Sequence, residues 1–380
     1  MISTCRILLV AGARPNFMKI APIVRALGAR KAHALKMGID LQYSIVHTGQ
    51  HYDTNMSDIF FSELEILRPR WHLGVGPGSH GEQTGKVMTG FEKVLSEERP
   101  DMVIVVGDVN STLACSITAK KQGVAVAHVE AGLRSFDMEM PEEVNRKVTD
   151  SITDLFFVTE DAGVRNLQDE GVPEDRIYLV GNVMVDSLFH TLSRMEQKEV
   201  LPSGEVKGFC EMGRYAVLTI HRPSNVDSRE TFLSIWEAII EVARQLPILF
   251  PVHPRTKRKI EEFGLKETGI TMIDPMGYLD MLYALKGATM VLTDSGGLQE
   301  ETTALGIPCI TIRKNTERPV TVETGTNRLV GTRTESILDA VSEILSGKNK
   351  AGSLPPLWDG RASERIVDVL LRRISIDASW

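Results

Sequence analysis

The chain has 380 residues, of which 42% are hydrophobic and 24% charged, and its formal net charge is −7. That length suffices for two ordinary domains, and the acidic balance argues against nonspecific binding to nucleic acid, so an anionic ligand would need a local group of cations. The four cysteines (Cys5, Cys115, Cys210 and Cys309) are far apart and form no CxxC pair, which argues against a structural zinc site or a disulfide scaffold and suits a reducing cytoplasm.

Short apolar runs alternate with helical patterns along the whole chain. The first run, ILLV, ends at once in AGARP, which indicates a strand and not a signal peptide. The sequence contains no run of about 20 apolar residues, so no membrane span is predicted. In the first half, the predicted strands are 6–10, 43–47, 102–106, 124–129, 155–159 and 177–181. In the second half, they are 215–221, 248–252, 289–294, 309–312 and 328–331.

This alternation predicts an α/β fold class with two doubly wound, Rossmann-like domains and an active-site cleft between them. A polar stretch at about 187–213 predicts the boundary, which gives domains 1–186 and 187–360. The last segment, RASERIVDVLLRR, predicts an amphipathic helix. In such sheets ligands bind beyond the carboxyl ends of the strands, so the residues that follow strands are the first candidates for function.

The motif LTDSGGLQEETTALG (292–306) is the most informative of these strand ends. Ser295 is suited to cap the following helix, but Gly296 and Gly297 each cost roughly 1 kcal/mol in its first turn relative to alanine. They make sense if a ligand must approach the backbone closely, and the N–H groups of a helix start favour a phosphate. A tight turn without a ligand is the alternative.

Two strand ends in the first half carry further candidates. In LLVAGARPNFMKIAP, Arg14 and Lys19 follow a strand and could face phosphate, or they could be a solvated surface pair. The fingerprint GxGxxG is absent there, so no dinucleotide site is predicted. In VIVVGDVNSTLACS, Asp108 could cap a helix. Because Asn110 and Ser111 could cap it equally well, a functional role for Asp108 is favoured.

The stretch HVEAGLRSFDMEMPEEVNR (128–146) places acids after another strand. The strand before Glu130 ends at the same edge of the sheet as the strand before Asp108. Glu142 lies in a predicted helix start, where an ion pair with Arg146 one turn later is the simplest interpretation. That interpretation cannot cover Glu130, which has no such helical partner.

The second half adds two histidines and an arginine cluster. His221 and His253 each end a predicted strand and could be ordinary structural histidines, but both have an arginine nearby. Arg318, in NTERPVTVETG, is a candidate clamp for phosphate or carboxylate, or else a surface residue. Motifs such as HExxH are absent, and no metal is expected.

The motifs GARPNFMK, GDVNST, HVEAGLR, PEEVNR, IHR, TDSGGLQEE and TERP occur in this order across nearly the whole chain. Together they resemble those of the non-hydrolysing UDP-N-acetylglucosamine 2-epimerases. HTGQHYDTNMSDIFF and GSHGEQTGK resemble a branch that includes epimerases of UDP-diacetamido-uronic acids. The resemblance implies a glycosyltransferase-B-like fold in which a C-terminal helix at 361–380 completes the first domain. It also implies a homodimer that acts on a UDP-sugar and needs no metal or nicotinamide cofactor.

The same resemblance implies roles for individual residues. Catalytic roles fall on Asp108, Glu130, Glu142 and His221. Substrate-binding roles fall on Arg14, Lys19, Arg146, Met276, Met281, Ser295, Gly296, Gly297, Glu301 and Arg318. The glycine turn would hold phosphate oxygens, Glu301 the ribose, and the loop PMGYLDM (275–281) the uracil.

These residue types suit inversion at C2 of a UDP-sugar by loss and re-addition of UDP, which needs acid–base groups at C2 and cations at the leaving diphosphate. We expect Asp108 and Glu142 to exchange protons with the sugar, Glu130 to position or relay, and His221 to stabilise UDP. Four alternatives stay open: a 2-epimerase of a UDP-2,3-diacetamido uronic acid, a hydrolysing epimerase, a glycosyltransferase of the same fold, and a non-catalytic UDP-sugar sensor. A sensor would not need three acids.

Overall fold

The computed structural model describes residues 2–50, 65–198, 200–266 and 268–376, without the side chains of Arg14 and Ile376. The chain divides into two compact units. Unit 1 comprises Met1–Phe189 and Pro356–Trp380, and unit 2 comprises His190–Pro355. Each unit is built on one parallel sheet with its own hydrophobic core.

Unit 1 contains a sheet in which every neighbouring pair of strands is parallel. The strands are β1 Ser3–Ala11, β2 Ile39–His47, β3 Trp71–His72, β4 Met102–Val106, β5 Ala125–Val129, β6 Leu155–Val158 and β7 Ile177–Leu179. Their order is β3-β2-β1-β4-β5-β6-β7. The central strands β4 and β5 are buried along their whole length, as expected for strands covered on both faces.

Helices connect these strands. They are α1 Arg14–Lys36, α2 His80–Glu98, α3 Asn110–Lys121, α4 Pro141–Ile152, α5 Asp161–Asp169 and α6 Val183–Glu196, with a 3₁₀ turn at Glu174–Arg176. α1 and α4 both begin with a proline in the first turn, where the missing N–H costs nothing.

Unit 2 repeats the same plan. Its strands are β8 Ala216–Thr219, β9 Ile248–Pro251, β10 Ile270–Ile273, β11 Met290–Thr293, β12 Cys309–Thr311 and β13 Asn327–Leu329, in the order β10-β9-β8-β11-β12-β13. Its helices are α7 Gly204–Cys210, α8 Pro223–Val226, α9 Arg229–Ala243, α10 Pro254–Phe263, α11 Tyr278–Gly287, α12 Gly296–Leu305, α13 Pro319–Glu323 and α14 Thr334–Leu345. Both sheets therefore have the doubly wound order, and the predicted Rossmann-like fold class is confirmed.

The C-terminal helix α15, Ala362–Ile376, belongs to unit 1. Asp186 caps it, since its carboxylate accepts hydrogen bonds from the backbone N–H groups of Ala362 (3.0 Å) and Ser363 (2.7 Å). Arg30 of α1 binds Asp368 of α15, with Nε 2.9 Å from Oδ1. Among the described residues no helix is long and apolar enough to cross a membrane.

Candidate functional site

In both units sequence-predicted residues follow the strands that border the place where the strand order reverses, namely Arg14 and Asp108 in unit 1 and His221 and Ser295 in unit 2. In unit 1 this place lies between β1 and β4, and in unit 2 between β8 and β11. The carboxyl ends of these strands are the usual ligand-binding edge of a doubly wound sheet.

The turn after β1 is held by Asn16. Its side-chain oxygen accepts hydrogen bonds from the N–H groups of Gly12 (3.2 Å) and Ala13 (2.8 Å), and its Nδ2 donates to the carbonyl of Val106 at 3.0 Å. Asn16 thus ties the end of β1 to the end of β4. Arg14 begins α1 in this turn, but its side chain lies outside the described atoms.

Lys19, one turn into α1, forms a buried ion pair with Glu130. Nζ lies 2.6 Å from Oε2, and the two side chains are 9% and 2% exposed. The alternative of a solvated surface lysine is therefore wrong for Lys19. Gly107 packs directly on this pair, because a Cβ at its position would lie 2.9 Å from Nζ. A side chain at Gly107 would displace the ammonium group.

Glu130 follows β5 in a left-handed backbone conformation, with φ +69°. This conformation costs a residue other than glycine about 1–2 kcal/mol. The turn is held by its own N–H, which donates to the carbonyl of Phe157 at 3.0 Å. Strain of this kind collects at functional sites, where the surrounding structure enforces it.

Asp108, which follows β4, is bound by Arg146 of α4. The guanidinium approaches the same carboxylate oxygen with Nε at 3.0 Å and Nη2 at 2.8 Å. The Asp108 side chain is 28% exposed, whereas that of Arg146 is 3% exposed. Asn145 of α4 also donates to the carbonyl of Asp108, at 2.8 Å. A residue after β4 is thus fixed by two residues of α4.

Arg146 also binds Glu143, whereas the helical spacing suggested Glu142. Glu143 is buried, and its carboxylate also accepts hydrogen bonds from the N–H and hydroxyl of Ser135, both at 2.9 Å, and from the N–H of Phe136 at 3.1 Å. Glu142 is half-buried in the first turn of α4. Glu143 therefore holds the loop and the arginine in place, and the simple Glu142–Arg146 pair is not what the structure shows.

A fully buried charged network supports both turns. Asp150 of α4 lies 2.7 Å from Nδ1 of His128, whose Nε2 lies 2.8 Å from the carbonyl of Gly107. The other oxygen of Asp150 binds Arg134 at 2.7 Å and accepts from the N–H of Gly132 at 3.1 Å. Burial opposes ionisation of Asp150, but its interactions with His128 and Arg134 hold its pKa below the usual value. The network links the turn before Asp108 to the loop after Glu130.

The segment 47–50 and the start of α2 complete the edge of unit 1. Gln50 accepts hydrogen bonds from the N–H (3.1 Å) and hydroxyl (2.7 Å) of Ser111. Asn110 donates to Gln83 at 3.0 Å and lies 3.1 Å from Nδ1 of His80. The remainder of the motif HTGQHYDTNMSDIFF, residues 51–61, lies outside the described residues.

In unit 2, Ser295 precedes α12 and its side chain makes no capping hydrogen bond. Gly296 and Gly297 have different neighbours. A Cβ at Gly296 would lie 2.8 Å from Nη1 of Arg318, whereas one at Gly297 would meet no atom within 4 Å. The first glycine is therefore needed to admit a guanidinium, and the second leaves open space at a helix start.

Arg318 belongs to a cluster of cations beside this turn. Its Nε lies 2.6 Å from Oε1 of Glu300, and its side chain is buried, so the alternative of a surface arginine is wrong. Arg222 and Arg313 both bind Glu317, at 3.4 Å and 2.8 Å. Three guanidinium groups thus share two carboxylates, which gives this turn the local positive charge that an anionic ligand requires.

His221, which follows β8, binds a residue that the sequence-based reasoning missed. Its Nδ1 lies 2.9 Å from Oδ1 of Asp294, which follows β11. His253 lies beside it, with ring centroids 6.2 Å apart. The side chain of His253 accepts a hydrogen bond from the N–H of Arg255 and so acts as a helix cap for α10. The structure thus distinguishes the two histidines.

The loop 275–281 contributes side chains mainly to the core of unit 2. Met276 is buried and Met281 packs against the same apolar cluster. Burial, and then the nearby carboxylate of Glu301, raise the pKa of Tyr278 well above its usual value. Tyr278 therefore connects the predicted uracil loop to the predicted ribose residue. Within the described residues no group of three or more His, Cys, Asp or Glu side chains could hold a metal ion.

The chain is similar to known proteins over nearly its whole length. A family model described as UDP-N-acetylglucosamine 2-epimerase matches residues 33–371. The UDP-N-acetylglucosamine 2-epimerase of Methanocaldococcus jannaschii is 43% identical over 373 residues, which is 95% of this chain and 98% of that protein. The UDP-2,3-diacetamido-2,3-dideoxy-D-glucuronate 2-epimerase of Pseudomonas aeruginosa is 39% identical over 370 residues, 97% of this chain and 99% of that protein.

Solved structures agree with these matches. The crystal structure of the Methanocaldococcus jannaschii enzyme in complex with UDP-GlcNAc and UDP has a TM-score of 0.86 at 42% identity, covering 97% of this chain and 99% of that one. The enzyme from Neisseria meningitidis, bound to UDP-GlcNAc, has a TM-score of 0.86 at 28% identity, covering 97% and 100%. The predicted family resemblance and the glycosyltransferase-B-like fold are confirmed.

Proposed function

The chain belongs to the UDP-N-acetylglucosamine 2-epimerase family and is an isomerase, and we propose that it interconverts UDP-N-acetylglucosamine and UDP-N-acetylmannosamine without releasing free sugar. One observation carries this proposal. Acids after β4 and β5 are held against cations, while unit 2 offers a helix start surrounded by arginines. A protein that only bound UDP would need the second group and not the first.

The chemical difficulty is the hydrogen at C2, which is not acidic because no carbonyl adjoins it. In the proposed reaction the C1–O bond to UDP breaks, a base takes the C2 proton on the opposite face, and a C1–C2 double bond forms. The intermediate is 2-acetamidoglucal with UDP. A diphosphate oxygen then attacks C1, and C2 receives a proton on the other face. The enzyme must supply acid–base groups and stabilise the leaving diphosphate.

The acid–base groups are proposed to be Asp108 and Glu142. Asp108 is partly exposed, and its carboxylate is fixed by the buried guanidinium of Arg146, so it is oriented before substrate binds. Glu142 stands half-buried in the first turn of the same helix. Glu130 is almost fully buried on Lys19, which suits positioning or relay and not direct contact with the sugar.

The diphosphate is proposed to bind unit 2, at Ser295, Gly296, Gly297 and Arg318. The N–H groups of a helix start attract phosphate oxygens, and the open space at Gly297 permits their approach. His221 would donate to the same diphosphate as its charge grows. Glu301 for the ribose and the loop 275–281 for the uracil complete the nucleotide site in this proposal.

A second candidate substrate is a UDP-2,3-diacetamido uronic acid. The 39% identity to the Pseudomonas aeruginosa 2-epimerase over nearly the full length of both chains favours it. The reaction at C2 would be the same, and only the groups that recognise C3 and C6 would differ. Homodimer formation and a cytoplasmic location remain predictions of the sequence.

One incubation tests the proposed reaction. UDP-N-acetylglucosamine is supplied as the sole substrate in heavy water, and products are followed by NMR and mass spectrometry. We expect deuterium at C2 of intact UDP-sugar and a mixture of two epimers. Free N-acetylmannosamine with UDP would instead show hydrolysis. An unchanged substrate would contradict the proposal for this sugar, and repeating the incubation with the diacetamido uronic acid nucleotide would then test the second candidate.

A further inference from the structure

Asp294 is a buried acid surrounded by hydrogen-bond donors. Its Oδ2 accepts from the N–H of His221 (2.9 Å), the N–H of Arg222 (2.8 Å) and Nδ2 of Asn225 (3.1 Å), and its Oδ1 faces Nδ1 of His221 at 2.9 Å. Burial opposes ionisation, but the interactions with His221 and with the backbone N–H groups hold the pKa of Asp294 below its usual value. Asp294 is therefore a carboxylate at neutral pH.

The geometry of this pair determines where the protons of His221 lie. A carboxylate only accepts hydrogen bonds, so Nδ1 must carry a proton. In a neutral imidazole Nε2 then has no proton and can only accept. Nε2 can donate to a phosphate oxygen only when the ring is a doubly protonated imidazolium. The side chain of His221 is 44% exposed, whereas that of Asp294 is fully buried, so His221 is the member of the pair that a ligand can reach.

We propose that Asp294 is a positioning residue, which holds His221 as an imidazolium whose Nε2–H is directed at the diphosphate of the UDP-sugar. The inference rests on the proposed role of His221 at the diphosphate and extends it by one residue. The opposite charge of Asp294 stabilises the imidazolium, and the two hydrogen bonds from the backbone fix the carboxylate against the ring. As UDP leaves, its growing negative charge would meet a cation that is already oriented.

Other charged groups also surround His221. His253 lies on the neighbouring strand end, with the two ring centroids 6.2 Å apart, and Arg222 is next in sequence. Arg222 is itself directed away, since its guanidinium donates to the carbonyl of Asp294 at 3.1 Å and lies 3.4 Å from Glu317. Burial, and then the neighbouring His221, Arg255 and Arg258, lower the pKa of His253, which favours its neutral form. Among the described residues, Asp294 is thus the carboxylate that contacts the ring of His221, at 2.9 Å.

The isosteric variant Asp294→Asn tests this role. An asparagine whose oxygen replaces Oδ2 keeps the hydrogen bonds from His221 N, Arg222 N and Asn225. Its Nδ2 then faces Nδ1 of His221, where it can donate to an unprotonated nitrogen but cannot stabilise a cation. The fold is retained while the charge is removed.

Two measurements read out the effect. As pH rises, kcat should decrease, and this decrease (the alkaline limb of the pH profile) should lie about one pH unit lower in Asp294→Asn than in the wild type. At a pH above the limb, kcat of the variant should therefore be about tenfold lower than that of the wild type. Acidification should restore part of it. UDP affinity, measured by calorimetry across the same pH range, should show the same shift without any sugar chemistry. In the double variant with His221→Asn, kcat should be close to that of His221→Asn alone, since both changes remove one function.

Three results would overturn the role of Asp294. One is an alkaline limb that stays in place while kcat falls equally at every pH. Another is a double variant whose loss is the product of the two single losses. The third is a fully active His221→Asn, which would also remove the proposed role of His221. If the wild type incorporates deuterium at C2 but the alkaline limb does not shift in Asp294→Asn, only this inference is contradicted. If the wild type incorporates no deuterium, the proposed reaction itself is contradicted.

Asn225→Ala is the matched control for loosened structure. It removes the 3.1 Å hydrogen bond to Asp294 and the 3.0 Å bond to the carbonyl of Ile312 but leaves the charge beside His221. It should lower the melting temperature and leave the alkaline limb unmoved. An equal shift of the limb in this control would mean that disorder, not charge, causes the effect.

Discussion

The buried ion pair between Lys19 and Glu130 predicts an asymmetry among three variants. Removing either charge takes from the other its buried partner at 2.6 Å, so Lys19→Met and Glu130→Gln should each destabilise unit 1 by about 3–5 kcal/mol. The double variant contains neither charge. We therefore expect it to be more stable than either single variant, because neither charge of the pair remains without the other.

The structure gives the scale of this coupling. Two unit charges separated by 2.6 Å attract each other by about 6 kcal/mol at an effective dielectric constant of about 20. Desolvation of both groups offsets most of this attraction, so the net stabilisation by the pair is small. A double-mutant cycle measures the coupling and not the net effect, and a value of about 2–5 kcal/mol is expected.

Amide hydrogen exchange in β5 is the appropriate assay, because it reports the opening of unit 1 without assuming that both units unfold together. Deuterium incorporation at C2 is followed in parallel. The double variant should recover the protection of its β5 amides from exchange. It should not recover turnover, since it lacks Glu130 as the Glu130→Gln variant does. Destabilisations that simply add would refute the coupling, and normal turnover in Glu130→Gln would refute its role in the reaction.

Three further predictions concern other positions. Glu142→Gln should slow deuterium incorporation by about a hundredfold and leave the melting temperature unchanged. Glu143→Gln should lower the melting temperature, because it weakens three hydrogen bonds and an ion pair. Equal melting temperatures of the two variants would contradict this distinction. Gly296→Ala should weaken UDP binding about tenfold by displacing a guanidinium, and calorimetry on Gly297→Ala tests whether a ligand fills the open space there. Burial lowers the pKa of His47 from 6.5 to about 4, so between these pH values the unfolded chain binds a proton that the folded chain does not. The free energy of unfolding should therefore fall by up to about 3 kcal/mol as the pH drops from 6.5 to about 4. In His47→Gln, acid titration followed by circular dichroism should show a smaller loss of stability with falling pH.

The sequence predicted the central strands well because they are continuous apolar runs. The predicted strand 102–106 coincides with β4, and the predicted strands 124–129 and 155–159 differ from β5 and β6 by one residue at an end. Two strands were missed, β3 at Trp71–His72 and β10 at Ile270–Ile273. Both lie at an edge of their sheet and are partly exposed, so they lack the buried run that identifies the central strands.

The candidate site was predicted by position but not by partner. The strand-end rule located Asp108, which follows β4 at the place where the order reverses, and Glu130, which follows the neighbouring strand β5. Helical spacing favoured an ion pair between Glu142 and Arg146, yet Arg146 binds Asp108 and the adjacent Glu143. Spacing along a helix describes only local neighbours. The sheet brings the carboxylate of Asp108 close to the buried guanidinium of Arg146, and a buried guanidinium needs such a partner more than an exposed one does.

Asp108 and Asp294 show what strand position leaves undetermined. Each follows the strand at which the order of its sheet reverses, and each binds a basic side chain within 3.0 Å. Their exposure differs, at 28% for Asp108 and 0% for Asp294. A catalytic acid must reach the sugar, whereas a carboxylate that only orients a histidine gains strength from exclusion of water. Burial therefore supports the different roles that we propose for two aspartates that the sequence presents in the same way.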